Sequence, residues 1–221
     1  MRFVIYLSLT LFILSCSNSK DSNLSQNIPN NYTTPVLAEN FSIIGDYKSL
    51  WPESWTQIVY EALESQNSEL LHISPSTSDL AFLSCQNYHE FSRAQKKKFW
   101  TIFLASISHF ESSFNPRTRY WESTMNKYSE GLFQLSVDDS ANYDYCDLSS
   151  DTILNPLENI SCGVNILEKQ LRGGYSREPG RLFPPRSFYW SVLTSAKSKQ
   201  KVRLFFKKRA SKHLEECSRS I

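Results

Sequence analysis

The stretch that most constrains this chain begins at Ser92. Ser92-Arg93-Ala94-Gln95 has the Ser-x-x-Gln form of a capping box. The apolar residues after it (Phe99, Trp100, Ile102, Phe103, Leu104, Ala105, Ile107, Phe110) cover most of the circumference of a helix. Such a helix must be covered on nearly every side, so the chain has to build a core around it. The material is present, since 40% of the 221 residues are apolar, 14% are aromatic and only 21% are charged. Trp51, Trp55, Ile58, Val59 and Leu63 predict another helix over about 53–65. A third starts with Asn155 as N-cap, Pro156 at N1 and Glu158 at N3. Its stripe of Leu157, Ile160, Val164, Leu167 and Leu171 runs until Gly173-Gly174. Residues 186–195, after the breaker Pro184-Pro185, read as a further buried segment of either type. Sustained strand alternation is absent, so the expected fold class is mainly α, in a single globular domain.

The N-terminus speaks to compartment. Arg2 precedes a 12-residue apolar run, Phe3 to Leu14, which has the length of a secretory signal and is too short to span a bilayer. Ile13-Leu14-Ser15-Cys16 resembles a bacterial lipobox, with residues 1–15 as the signal peptide and Cys16 as the lipidated N-terminus. Ser17 after that Cys implies outer-membrane sorting in Gram-negative lipoproteins, hence the periplasmic face of the outer membrane. Residues 16–40 are rich in Ser and Asn and read as a tether, leaving 41–221 as the folded domain. Setting Cys16 aside, Cys85, Cys146, Cys162 and Cys217 remain, an even number that suggests two disulfides in an exported chain. Of the three pairings, Cys146 with Cys162 and Cys85 with Cys217 is favoured, because the first pair spans a short turn-rich stretch. There is no CxxC and the four histidines are scattered, which argues against a structural metal.

Glu111 opens Glu111-Ser112-Ser113-Phe114-Asn115-Pro116, where Asn-Pro should end the helix just beyond the acid. Gly131-Leu132-Phe133-Gln134 follows, and then the Asn155-Pro156 helix with its Gly163. These segments resemble the soluble lytic transglycosylase (SLT) domain, which shares a lysozyme-like fold with goose-type lysozyme. The resemblance covers about 108–195. It implies that Glu111 is the catalytic acid, that Gly131, Leu132, Phe133 and Gln134 line a sugar cleft, and that Tyr189 closes it. The family's Tyr-Asn-Ala-Gly reads here Tyr189-Trp190-Ser191-Val192, a departure that leaves Tyr189 open to a core role. Tyr128-Ser129-Glu130 also departs from the small residues the family carries before its Gly-Leu-x-Gln.

Physical chemistry supports the acid independently. At 100° per residue Glu111 lies within about 20° of Trp100 and Leu104, so it ends an apolar face. Burial there would keep the carboxyl protonated near neutral pH, as cleavage of a glycosidic bond requires. The alternative is a structural Glu paired with Arg117 or Arg119. The resemblance implies a single acid/base that cleaves the MurNAc-β-1,4-GlcNAc bond of peptidoglycan and leaves 1,6-anhydroMurNAc. A two-carboxylate hydrolase of goose-type lysozyme kind is the rival, with Glu122, Glu130, Asp138 and Asp139 as candidates for the second acid. They read mostly as loop residues or substrate contacts. Gln134 offers a donor and an acceptor to sugar, Leu132 or Phe133 offers a face, and Ser112 and Ser129 offer hydroxyls to the acid or the sugar. His109 reads as structural.

Residues 197–212 hold eight Lys and Arg and no acid, so the +2 net charge of the chain leaves −6 on the remainder. The segment reads as a solvated basic helix, or as a contact for anionic lipid or cell-wall polymer. A net charge this small lends no support to nucleic-acid binding. Expected partners are peptidoglycan strands and, through Cys16, a membrane; the chain is expected to be a monomer with no cofactor or metal. Two non-enzymatic readings stay open, a peptidoglycan-binding lipoprotein without catalysis and a structural outer-membrane lipoprotein.

Overall fold

The computed structural model describes residues 51–173, 179–185 and 189–218. The expected signal peptide, Cys16 and tether, together with Gly174 and residues 186–188, lie outside the described residues. Five helices carry the fold: α1 (Glu53–Ser65), α2 (Thr77–Leu83), α3 (Arg93–Ser112), α4 (Pro156–Leu171) and α5 (Ala196–His213). Between α3 and α4 lies a two-stranded antiparallel hairpin of β1 (Arg119–Glu122) and β2 (Lys127–Glu130). The mainly α expectation is met; the hairpin was not expected, because strands of four residues are too short to show an alternating period. The segment expected to be buried after Pro184-Pro185 contains a 3-10 turn, Ser191–Leu193, with Trp190 and Leu193 buried.

Helix α3 is the axis. Ser92 Oγ accepts from the Gln95 amide and the Gln95 side chain accepts from the Ser92 amide, which closes the expected capping box. Phe99 through Ser108 are all buried. Helices α1 and α5 pack against α3, and α4 packs against α1. Edge-on aromatic contacts join Tyr88, Phe99, Trp100, Phe103 and Phe206. Disulfides link Cys85 to Cys217 and Cys146 to Cys162. The first closes a span of 132 residues, and the second ties the loop before α4 to that helix.

The end of α3 is strained. Ser113 and Phe114 both take left-handed φ, at 53° and 62°, although neither is glycine. Such residues cost roughly 1–3 kcal/mol each. Phe114 offsets this by burying its ring against Trp51 and His109, at centroid distances of 5.8 and 5.2 Å. His109 in turn stacks on Phe205 at 4.6 Å, consistent with its reading as structural.

A second constraint holds the Gly131-Leu132-Phe133-Gln134 turn against α4. Asn159, fully buried, accepts from the Phe133 amide at 2.9 Å and donates to the carbonyls of Glu130 (3.2 Å) and Ile153 (2.9 Å). Gly131, at φ +77°, lies so close that a Cβ would fall 2.3 Å from Asn159 Nδ2. On the same helix a Cβ at Gly163 would meet the Phe133 ring at 3.0 Å, so the glycine lets that ring lie on α4. Asn159→Ala strands the buried Phe133 amide and Ile153 carbonyl, while the Glu130 carbonyl keeps the Leu135 amide, and we expect a loss of about 3 kcal/mol in urea unfolding, with Asn159→Asp intermediate. A loss under 1 kcal/mol for the alanine variant would contradict this account.

Candidate active site

The hairpin, the end of α3, the Gly-Leu-Phe-Gln turn and residues 189–191 enclose a cleft of about 840 Å³. Cross-strand pairing sets Tyr120 opposite Ser129 and Glu122 opposite Lys127. These four residues share one face of the hairpin, and all four line the cleft. Trp121 and Tyr128 take the other face, with rings 4.8 Å apart. Tyr120 is 60% exposed, a flat aromatic surface of the kind on which a sugar ring can rest.

Glu111 enters from the last turn of α3 and lines the cleft. Its Oε1 is buried and has no hydrogen-bond partner among the described residues. Burial first, and then the negative charge of Glu122, lift its carboxyl to about 7. The alternative of an ion pair with arginine does not hold for Arg119, whose Nε pairs with Glu130 at 2.7 Å. A carboxyl group in this setting keeps a large protonated fraction at neutral pH and has an oxygen available to a substrate.

Glu122 is the second carboxylate of the cleft, where it accepts from Ser129 Oγ at 3.3 Å. Glu130 is buried in its ion pair with Arg119, and Asp138 is exposed away from the lining residues. Asp139 is buried at the cleft wall, where its Oδ2 accepts from the Ser136 amide and from the Tyr189 hydroxyl. Desolvation raises the Asp139 carboxyl, those two donors pull it back only in part, and burial also drives the Tyr189 phenol well above its ordinary value. Tyr189 is thus held by Asp139 at the cleft and is not buried in the core. Its neighbour Trp190 is buried and donates to the Phe133 carbonyl at 2.8 Å.

Several expected contacts change role. Leu132 and Phe133 are fully buried and offer no face to a sugar, because the turn points them into the core over Gly163. Gly131 is also buried and lies outside the cleft lining; its part is to permit the left-handed turn. Ser112 turns inward and donates to the Leu132 carbonyl at 2.9 Å, joining the acid's helix to the turn, so it neither orients the acid nor binds sugar. Ser129 and Gln134 do line the cleft. Gln134 takes φ 49°, and its amide donates to the Gly131 and Thr118 carbonyls, which fixes the side chain across the cleft floor. Sequence reasoning missed Tyr120, Lys127, Asn142 and Tyr143 in the lining. The only signal for Tyr120 and Lys127 was a period-two alternation shared with Glu122 and Ser129, too brief to stand out.

No curated protein matches the chain. Among solved structures, Bd0314 DslA in wild-type form 2 is 28% identical over 74% of this chain and 93% of that one, with a TM-score of 0.62. Two glutamate-to-glutamine mutants of DslA match at 27% and 29% identity, over 74% and 75% of this chain and 93% and 91% of theirs, each with a TM-score of 0.61. The model of the transglycosylase SLT domain matches residues 89–179, a span that holds Glu111, Glu122, Gln134 and Asn159. Over that segment the chain is similar to the transglycosylase SLT domain.

Proposed function

We propose that this protein cleaves the MurNAc-β-1,4-GlcNAc bond of peptidoglycan strands as a lytic transglycosylase, with Glu111 as the acid. The observation that carries the reading is the Glu111 carboxyl, held at about 7 by burial, with an unpartnered oxygen in an 840 Å³ cleft lined by polar groups and Tyr120. An SLT domain is a peptidoglycan-acting fold, which supplies the substrate class. In the first step Glu111 gives its proton to the glycosidic oxygen as the C1–O bond breaks. The resulting carboxylate takes the proton of the muramoyl C6 hydroxyl, whose oxygen bonds to C1. Glu111 ends protonated, no water is consumed, and the new end is a 1,6-anhydro sugar.

The second reading is hydrolysis, and Glu122 favours it. A carboxylate in the same cleft, near enough to raise Glu111, is placed to act on a water or on C1. The glutamates replaced in the two DslA mutants stand eleven positions apart, the separation of Glu111 and Glu122. Mass spectrometry of fragments released from purified sacculi decides between the two. Anhydro ends, absent with Glu111→Gln, support the transglycosylase; reducing ends, lost with either Glu111→Gln or Glu122→Gln, establish the hydrolase. No release at all would leave a peptidoglycan binder. With Glu111→Gln we expect turnover to fall by at least about 10²-fold.

We also propose that Cys16 is lipidated and holds the domain at the periplasmic face of the outer membrane; the apolar run Phe3 to Leu14 and the small residue before Cys16 support this. Cys16→Ser should move the protein from the membrane to the soluble fraction of the envelope.

The raised acid fixes a pH dependence. The active form is protonated, so turnover should fall as pH rises through about 7. Because Glu122 repels the charged form of Glu111, Glu122→Gln should shift that limb to lower pH, by less than the whole displacement since burial is the larger cause. Stability follows the same sign. A carboxyl raised in the folded state supports folding fully below its unfolded value near 4.5 and loses that support as pH rises through 7. Glu111→Gln should therefore unfold at higher urea than wild type at pH 8.5, by on the order of 2–3 kcal/mol, while the two match near pH 4. Equal stability at both pH values would show that Glu111 is not buried as described.

A further inference from the structure

Helix α5 divides its eight cations in an unusual way. Its two arginines turn inward: Arg203 Nε donates to the Phe82 carbonyl at 2.7 Å, and Arg209 is buried with its guanidinium 5.0 Å from the Phe205 ring. Val202, Phe206 and Ala210 face the core. On the opposite side Lys197, Lys201, Leu204, Lys208 and Lys212 are exposed. At 100° per residue these five positions fall within an arc of about 80°, forming one stripe roughly 22 Å long.

Local stability does not explain this stripe. The N-terminus of a helix carries partial positive charge and favours acids, yet the first turn of α5 holds no acid and contains Lys197 and Lys199. Ser195 supplies no side-chain cap there either. The sequence thus accepts a cost in helix stability to set cations at this end. That end adjoins the cleft, because Ser191 lines the cleft, the Ser191–Leu193 turn packs on α5, and the helix starts at Ala196. Outside this segment the chain carries a net −6, so the stripe is where a polyanion is drawn rather than repelled.

We propose that the lysine stripe of α5 is a docking surface for the carboxylates of peptides borne by the same glycan strand that enters the cleft. The proposal rests on the peptidoglycan reading above. A bilayer fits less well, since Leu204 is the one large apolar side chain exposed on the stripe and membrane binding grows with buried apolar area. The lysines hold hydrated carboxylates through charge alone, so the contact is weak per residue, additive along the strand and sensitive to salt.

The test uses the full chain and a triple variant, Lys197→Glu with Lys201→Glu and Lys208→Glu, with glycan strands either carrying or stripped of their peptides. Wild type should show a KM about tenfold lower for peptide-bearing strands, the advantage vanishing at 0.5 M salt (about 4 Å screening length) and in the variant. On stripped strands the two proteins should have equal kcat and KM, which shows that the variant is folded. Sedimentation with intact and peptide-stripped sacculi, using the Glu111→Gln protein with and without the triple change, reads the surface even if no turnover is seen. An equal affinity of that protein for both kinds of sacculi, or a triple variant that keeps the preference, overturns the proposal. Loss of binding to anionic vesicles in the variant, with the strand preference intact, would assign the stripe to a lipid surface instead.

Discussion

The site depends on the side chain of Asn159. Its amide oxygen and nitrogen hold three backbone groups from two loops and, with the Phe133 ring lying over Gly163, join α4 to the turn that carries Gln134. A buried amide with its main polar contacts satisfied acts as a rigid joint, because any displacement leaves groups unpaired in a medium that cannot hydrate them. From that joint the geometry propagates. The turn presents the Leu132 carbonyl to Ser112, which fixes the last turn of α3, and the Phe133 carbonyl to Trp190, which fixes residues 189–191. Both walls of the cleft are referenced to one turn.

The raised carboxyl of Glu111 arises from the same packing. Glu111 sits where a helix that is apolar nearly all round runs out, one residue before Ser112 and two before the left-handed Ser113. The reversal at Ser113 and Phe114 stops the helix from continuing over the carboxyl, so the acid is desolvated by the core yet open to the cleft. Glu122 reaches the same space from the hairpin. Two acids are therefore unlike in environment, one buried and one bonded to a serine hydroxyl at the rim.

Much of this was legible in the chain. The capping box at Ser92, the N-cap at Asn155 and the Asn-Pro stop after Glu111 are short-range signals, and the structure keeps each of them. The motif residues were legible as a set, but their roles were misassigned. Gly131, Leu132, Phe133 and Ser112 build the site from behind, because a pattern of residue types does not tell which side of a turn faces solvent. Tyr120 and Lys127 escaped notice since a four-residue strand offers two positions per face. Glu122 and Asp139 were visible as carboxylates, but their separation of 17 positions hides that both face one cavity. That depends on tertiary packing.

The two disulfides are nested, the Cys146–Cys162 bridge lying wholly inside the span closed by Cys85–Cys217. In a chain threaded N-terminus first into an oxidising space with Cys16 lipidated, as proposed above, Cys85 would be the first free thiol to arrive and Cys146 the next it meets. A catalyst that joins thiols in order of arrival would make Cys85–Cys146 and leave Cys162 to Cys217, neither of which is native. Correct connectivity therefore requires either that α3 and α4 fold before Cys85 is oxidised, or that the first bond can be reshuffled once Cys217 emerges. Under the proposed export, the order of the cysteines would tie maturation of this domain to the machinery that receives it, independently of anything in its cleft.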